Sequence, residues 1–321
     1  MELENIVDEE MLTVEDVNEM LAHTDKGKTR QTIRNCVTVL QNDPVLKKAI
    51  RRNELSGRID IVKEVPWERR NNSLTETDTD DYNLKMYLEE NYEITSERVI
   101  KAAVDIVSNE NRYHPIRDYL ESLVWDGVPR IENLLPRFLG AEKNNYTTGV
   151  MKMHMLAAIS RIYEPGIKYD IMLCLVGSQG AGKSTFFKYL AIKDDWFSDN
   201  LDHLDDENIY WKLQNHWIIE MGEMKATVTA KNIEQIKSFL SRQKETYKVP
   251  YEVHPEDRPR QCVFCGTSND LNFLPLDRTG NRRFAPVMTD VTKAEVHIMD
   301  DEEESRTYIV QAWAEAMVLY Q

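Results

Sequence analysis

What the sequence lacks narrows the field first. No apolar run approaches the 18 residues that a membrane-spanning helix needs, so no membrane association is expected. The first residues are acidic (Glu2, Glu4, Asp8, Glu9, Glu10) where a secretion signal would be basic, and the expected location is cytoplasmic. Cysteine is scarce. Cys36, Cys174, Cys262 and Cys265 are too few and too scattered for a disulfide framework. Cys262-x-x-Cys265 has the spacing of half a zinc site or a redox pair, but there is no second such pair. Val263-Phe264 between them reads as buried strand, so plain strand packing is expected. Positive charge is in deficit, with 40 Lys and Arg against 55 Asp and Glu and a net charge of −15. A surface coated with positive charge for nucleic acid is thereby excluded, and any such contact must be local. The imbalance is uneven: residues 1–25 carry nine acidic side chains and no Lys or Arg, whereas 225–260 carries eight basic against five acidic. No internal repeat is visible.

At 321 residues the chain exceeds one typical domain, and a core domain with one or two smaller units is the natural expectation. Residues 1–66 read as a small, mainly helical region in which Ile33, Cys36, Val37 and Leu40 share a face and Asp43-Pro44 has the cap and first-turn proline of a further helix. Residues 67–82, rich in Asn, Ser, Thr and Asp and without periodicity, read as a linker. Residues 83–165 carry helical stripes, among them Val99, Ile100, Ala103, Ile106 and Val107, and form an expected helical collar. Residues 166–321 form the expected ATPase core. The chain stops within an apparent helix, Ser305–Gln321, which raises the expectation of a fragment.

The core is organised around Gly177-Ser178-Gln179-Gly180-Ala181-Gly182-Lys183-Ser184-Thr185, which follows the apolar run Ile171–Val176 and leads into a helix-forming stretch. Strand, glycine loop and helix in this order make a P-loop. Several backbone N–H groups must point at a phosphate chain together, which side chains on the loop would obstruct. Lys183 is placed for the β- and γ-phosphates, Ser184 for Mg²⁺, and the helix N-terminus adds to the anion site. ATP and Mg²⁺ are the expected cofactors. Downstream, His216–Glu223 puts acids at the end of an apolar strand. Glu220 is assigned to the metal and Glu223 to the attacking water. Gln261–Gly266 reads as another strand ending in Thr267-Ser268-Asn269, where a polar residue can bond the γ-phosphate or the water. Arg282 and Arg283 follow a turn, with salt bridging as the alternative to a phosphate contact.

With these residues in place the chain resembles the virulence-associated protein E family, whose ATPase core is similar to superfamily III helicases of the AAA+ class. The matching pieces are His114–Leu123, Trp125–Arg130, the P-loop, Trp217–Glu223, Pro259–Asn269 and Thr279–Phe284. The resemblance implies an α/β AAA+ core with a mainly parallel five-stranded sheet preceded by a helical region. It also implies Asn269 as sensor, Arg282 or Arg283 as an arginine finger on a neighbouring subunit, and a homo-oligomeric ring, usually of six. It departs from those helicases in one respect: Met221-Gly222 separates Glu220 from Glu223 where the acids are usually adjacent, which leaves the general base open between the two. The segment before the sensor strand combines basic and aromatic residues, and Lys244, Lys248, Tyr251 and His254 are expected to contact single-stranded DNA. The expected function is an ATP-driven motor of a phage or genomic-island element, helicase-like in replication. The rival readings are a regulatory switch that assembles on ATP, and a P-loop kinase or small-molecule NTPase. A sensor asparagine and a trans arginine count against the kinase.

Overall fold

Local capping chemistry sets the first elements. The computed structural model describes residues 12–69, 73–201, 212–222, 230–247, 256–270 and 281–321, and the chain divides into two units, Met1–Pro115 and Ile116–Gln321. In the first unit, Thr13 and Asp16 close a capping box on α1 (Val14–Glu19), and the Thr32 hydroxyl caps α2 (Ile33–Asn42). A two-stranded antiparallel ladder follows, β1 (Ile50–Arg52) with β2 (Ile59–Ile61), and then α3 (Asp78–Tyr92) and α4 (Glu97–Glu110). The apolar faces of these helices share one core, in which Cys36, Val39 and Leu40 meet Leu88, Ile100, Ala103 and Val107.

Two expectations need correcting here. Asp43-Pro44 opens a turn rather than a helix. The buried Asp43 carboxylate accepts from the backbone of Val45 and Leu46 and from the hydroxyls of Tyr87 and Tyr92, while Lys48 takes a left-handed φ of 58°. Residues 67–69 and 73–82 are part of the first unit instead of a linker, and the division falls later, at Pro115. Their polarity serves internal bonds: Trp67 and Arg69 both donate to the buried Asp80, which also closes the capping box of Thr77. The expected collar is divided accordingly, with α3 and α4 belonging to the first unit.

The second unit begins with α5 (Pro115–Glu121), α6 (Leu134–Leu139) and the long α7 (Asn145–Tyr163), capped by Asn144 and Thr147. The strand β3 (Met172–Val176) is buried at every position and runs through the P-loop into α8 (Lys183–Leu190). After it come β4 (Phe197–Ser198), β5 (Ile218–Met221), α9 (Ala230–Leu240), a hairpin of β6 (Lys244–Tyr247) and β7 (Glu256–Pro259), β8 (Val263–Ser268), β9 (Phe284–Met288) and α10 (Glu302–Tyr320). The five-stranded sheet has the order β4-β5-β8-β3-β9 and every pairing in it is parallel. Near-continuous apolar strands are what a parallel sheet covered on both faces requires. Trp217 seals one side: its indole donates to Ala158 O of α7 and its ring lies 4.3 Å from that of Trp313 of α10. The four cysteines are buried and free. Among the described residues no helix is long and apolar enough to cross a membrane.

Candidate nucleotide site

All five strands point their C-terminal ends the same way, and β8 lies between the P-loop strand and the acidic strand. One edge of the sheet therefore gathers residues from β3, β5, β8 and β9. Gly182 caps α8 at a left-handed φ of 77°, a conformation that a side chain resists. The first-turn N–H groups of Lys183, Ser184 and Thr185 have no intrahelical acceptor by position. Gly180 also has a positive φ, and a Cβ there would meet nothing within 4 Å. Gly177 also meets a packing demand. A Cβ there would come within 2.2 Å of Thr289 Oγ1 at the end of β9, so this glycine is fixed by close packing.

Lys183 gathers the loop. Its ammonium donates to Gly177 O at 2.8 Å, Ser178 O at 2.7 Å and Asn269 Oδ1 at 3.2 Å. Burial holds it below the usual lysine value, with the charge of Glu220 acting in the opposite sense. Asn269 itself is exposed, one residue beyond β8. The expected sensor and the expected phosphate lysine are thus in direct contact, although 86 residues separate them.

Glu220 lies in β5 and is 1% exposed. Its Oε1 accepts from Ser184 Oγ at 2.7 Å and from Thr267 Oγ1 at 2.6 Å. Its Oε2 is buried and has no hydrogen-bond partner among the described residues. Burial lifts the carboxyl above the usual glutamate value, while the two hydroxyls pull it back. A buried carboxylate held by hydroxyls alone, with one oxygen unpartnered, suits a cation or a cation-bound water. Ser184 and Glu220, the two expected metal residues, are hydrogen-bonded to each other. The residues present fit a magnesium nucleotide.

Two contributors were not assigned from sequence. Thr267, which holds Glu220, lies in β8 two residues before Asn269, and that spacing was the available signal. Thr289 donates from both its N–H and its hydroxyl to Val176 O and packs on Gly177. No local pattern marks it.

The arginines are elsewhere. They end the 3₁₀ turn Asn281–Arg283 just before β9, whose register pairs Phe284 with Met172 and Met288 with Val176. They therefore lie at the opposite end of the sheet from the P-loop, about 17 Å away for five residues at the usual strand rise. Arg283 is held within the chain: its Nε donates to Ser241 Oγ at 2.9 Å and pairs with Asp170 at 3.2 Å. Arg282 is exposed. Lys244 begins β6 and pairs with Asp257 on the facing strand. Glu223, Lys248, Tyr251 and His254 lie outside the described residues.

The hairpin is tied to the core at its base. The buried Arg260 bonds Glu245 through Nε at 2.9 Å and Phe239 O through Nη1 at 2.6 Å, and its guanidinium lies 4.3 Å from the centre of the Phe239 ring. Arg260 also lies three residues before the start of β8.

Comparison with solved structures finds the C-terminal region of NrS-1 in its apo form, at a TM-score of 0.53 and 16% identity, covering 91% of this chain and 70% of that one. A second structure of the same region, its A form, gives a TM-score of 0.51 at 16% identity, covering 90% of this chain and 68% of the other. At this identity the likeness is one of fold, and the fold is the α/β arrangement with a parallel five-stranded sheet expected from the sequence. No curated protein matches the chain. The family model described as the virulence-associated protein E-like domain matches residues 120–321, more than half of the chain and the whole of the P-loop unit from the end of α5 onward. The chain belongs to the virulence-associated protein E-like family.

Proposed function

We propose that this chain is a magnesium-dependent ATPase of phage replication type that works on single-stranded DNA as a ring. The observation that carries the reading is the convergence of three separated stretches, Lys183-Ser184, Glu220 and Asn269, through the hydrogen bonds of Lys183 to Asn269 and of Ser184 to Glu220. Each has the role its chemistry allows. The first-turn N–H groups of α8 and the Lys183 ammonium receive the phosphate chain, and Asn269 orients what lies beyond the γ-phosphate. Ser184 and Glu220 would hold Mg²⁺, which would supply neutralisation of charge on the phosphate oxygens. Glu223 is assigned as the base that polarises the attacking water.

The sheet register places neither Arg282 nor Arg283 beside this chain's own P-loop, and Arg282 is exposed at the far end of β9. A neighbouring subunit is the source that would complete the site. Arg282 is preferred over Arg283 as the finger because Arg283 already has Asp170 and Ser241 as partners. Lys248, Tyr251 and His254 are assigned to DNA, with salt-dependent phosphate contacts and stacking worth about 1–3 kcal/mol per base. Lys244 contributes less, because a phosphate must compete with Asp257 for it.

The test is ATP hydrolysis with and without single-stranded DNA across salt concentrations. A motor shows stimulation that fades as salt rises, and loses it in Lys248→Ala/Tyr251→Ala with basal turnover intact. Hydrolysis indifferent to DNA at every salt favours the regulatory switch.

A further inference from the structure

Positive charge is denser in the first unit than in the segment before β8 that is assigned to DNA. Residues 26–63 carry ten Lys and Arg against three Asp and Glu, in a chain whose net charge is −15. Two of those three carboxylates, Asp43 and Asp60, are buried and hydrogen-bonded inside the unit. Arg51 and Arg52 are engaged by neighbours, the first over the Tyr113 ring at 4.4 Å and the second on Asp105.

Four other cations meet at the start of α2. His23 and Thr29 bridge antiparallel around a turn in which the Thr24 N–H donates to Lys28 O and Gly27 takes a left-handed φ of 75°. The buried Asn35 side chain clamps both arms of this turn. Its amide donates to Ala22 O at 2.8 Å and Arg30 O at 2.9 Å, and its Oδ1 accepts from the Ala22 N–H at 3.0 Å. Alternation then decides which way the return arm faces. Thr29 is buried, and Gln31 donates to Glu93 O and accepts from the N–H groups of Thr95 and Ser96, between α3 and α4. Lys28 and Arg30, out of phase with them, are exposed, as are Lys26 in the turn and Arg34 in the first turn of α2. Arg30 Nε donates to His23 O. Lys26, Lys28 and Arg34 have no ion-pair partner among the described residues. Two carboxylates share this surface, Asp25 in the turn and Glu93, which accepts from the Thr29 N–H.

A clamped turn is ordered before it meets a ligand, which lowers the cost of binding. Lys28 and Arg30 stand about 7 Å apart along an extended arm, so the cations are strung out as a row and are not folded round a single phosphate. No Phe, Tyr or Trp occurs in residues 24–42, so the surface offers charge without a stacking platform. We propose that this turn and the start of α2 form a second nucleic-acid contact, in which Lys26, Lys28, Arg30 and Arg34 hold the phosphate backbone without reading sequence. The proposal rests on DNA as the partner and is independent of ATP hydrolysis.

The test is the salt dependence of DNA binding by the full chain without nucleotide, read by fluorescence anisotropy of a labelled single-stranded oligonucleotide and, separately, of its duplex. In Lys26→Ala/Lys28→Ala/Arg34→Ala the slope of log affinity against log salt should shrink by about 2 for the single strand, or about 3 for the duplex. Between about 50 and 200 mM salt, the native chain should then lose roughly twentyfold more affinity for the single strand than the variant does. A control with the same charge change at exposed positions of the second unit, Lys152→Ala/Lys193→Ala/Lys293→Ala, should keep the native slope. Circular dichroism checks that both variants are folded. A native slope in the first variant, or an equal loss in the control, overturns this surface and leaves the assignment of Lys248 and Tyr251 to DNA standing. Failure of the native chain to bind either form of DNA at low salt overturns both.

Discussion

Two buried glutamates in the same unit show how a site differs from a brace. Glu245 and Glu220 are 6% and 1% exposed. Glu245 faces the Arg260 guanidinium, itself clamped over Phe239. Its charge is answered inside the chain. Glu220 has only the Ser184 and Thr267 hydroxyls on one oxygen and none of the described residues on the other, and the nearby Lys183 ammonium bonds the loop and Asn269 instead. A charge left unbalanced in a buried place costs stability unless a ligand supplies its partner. The first pair anchors a hairpin; the second leaves a buried carboxylate oxygen unpartnered among the described residues, which on the proposed reading a cation would answer.

The comparison can be broken most decisively at the far end of the sheet, where the account places a charge meant for another subunit. Arg282→Ala should slow ATP turnover by about 10³–10⁵-fold. Arg283→Ala should cost only about 1 kcal/mol of stability and keep turnover. An Arg282→Ala protein mixed with Lys183→Ala should recover part of the activity, with native mass spectrometry confirming mixed assemblies. Equal tolerance of both arginine replacements would make them structural.

The two glutamates respond oppositely to the same substitution. Removing charge at Glu245 leaves Arg260 buried without its counter-charge, and breaking such a pair typically costs about 3–5 kcal/mol. Glu245→Gln should therefore lower the melting temperature clearly. Glu220→Gln should raise it or leave it unchanged at pH 7, because the burial that lifts this carboxyl penalises its charged form. The same substitution should remove magnesium-dependent turnover. The sign follows from linkage: a folded-state value above the unfolded one means stability falls as pH rises through the raised value. Loss of stability in Glu220→Gln comparable to Glu245→Gln would erase the distinction.

A smaller effect belongs to His154, fully buried in α7 and held down to about 4 from its ordinary 6.5 by desolvation. The unfolded chain binds the proton more readily, so this contribution to stability is complete above pH 6.5 and is lost as pH falls towards 4. The total is about 3 kcal/mol by the usual conversion. His154→Phe should flatten the acid limb of a denaturation profile, and an unchanged limb would place the acid sensitivity elsewhere. Thr267→Val, which removes one of two donors to Glu220, should have the smallest effect, weakening magnesium-dependent turnover by roughly tenfold for a hydrogen bond to a charged group.

The legibility of the site follows the length scale of each constraint. The P-loop is a local geometric demand, so Gly182 and Lys183 announce themselves, and Glu220 and Asn269 could be placed because acids and polar residues at the ends of apolar strands are unusual. Thr267 was readable from its position two before Asn269. Thr289 and the choice between Arg282 and Arg283 were not, because their meaning lies in Gly177, Asp170 and Ser241, which are remote in the chain. Residues 67–69 and 73–82 were harder to read for a related reason: a polar stretch looks the same whether it faces water or, as with Trp67 and Arg69 on Asp80, bonds inward.

The central claim is that the group around Lys183 hydrolyses ATP, and the direct measurement is steady-state phosphate release with Mg²⁺ by the native chain and by Lys183→Ala. The account predicts magnesium-dependent turnover in the native chain and none above background in the variant, with the variant folded by circular dichroism. Equal rates in the two proteins, or no hydrolysis by the native chain with and without single-stranded DNA, would contradict it.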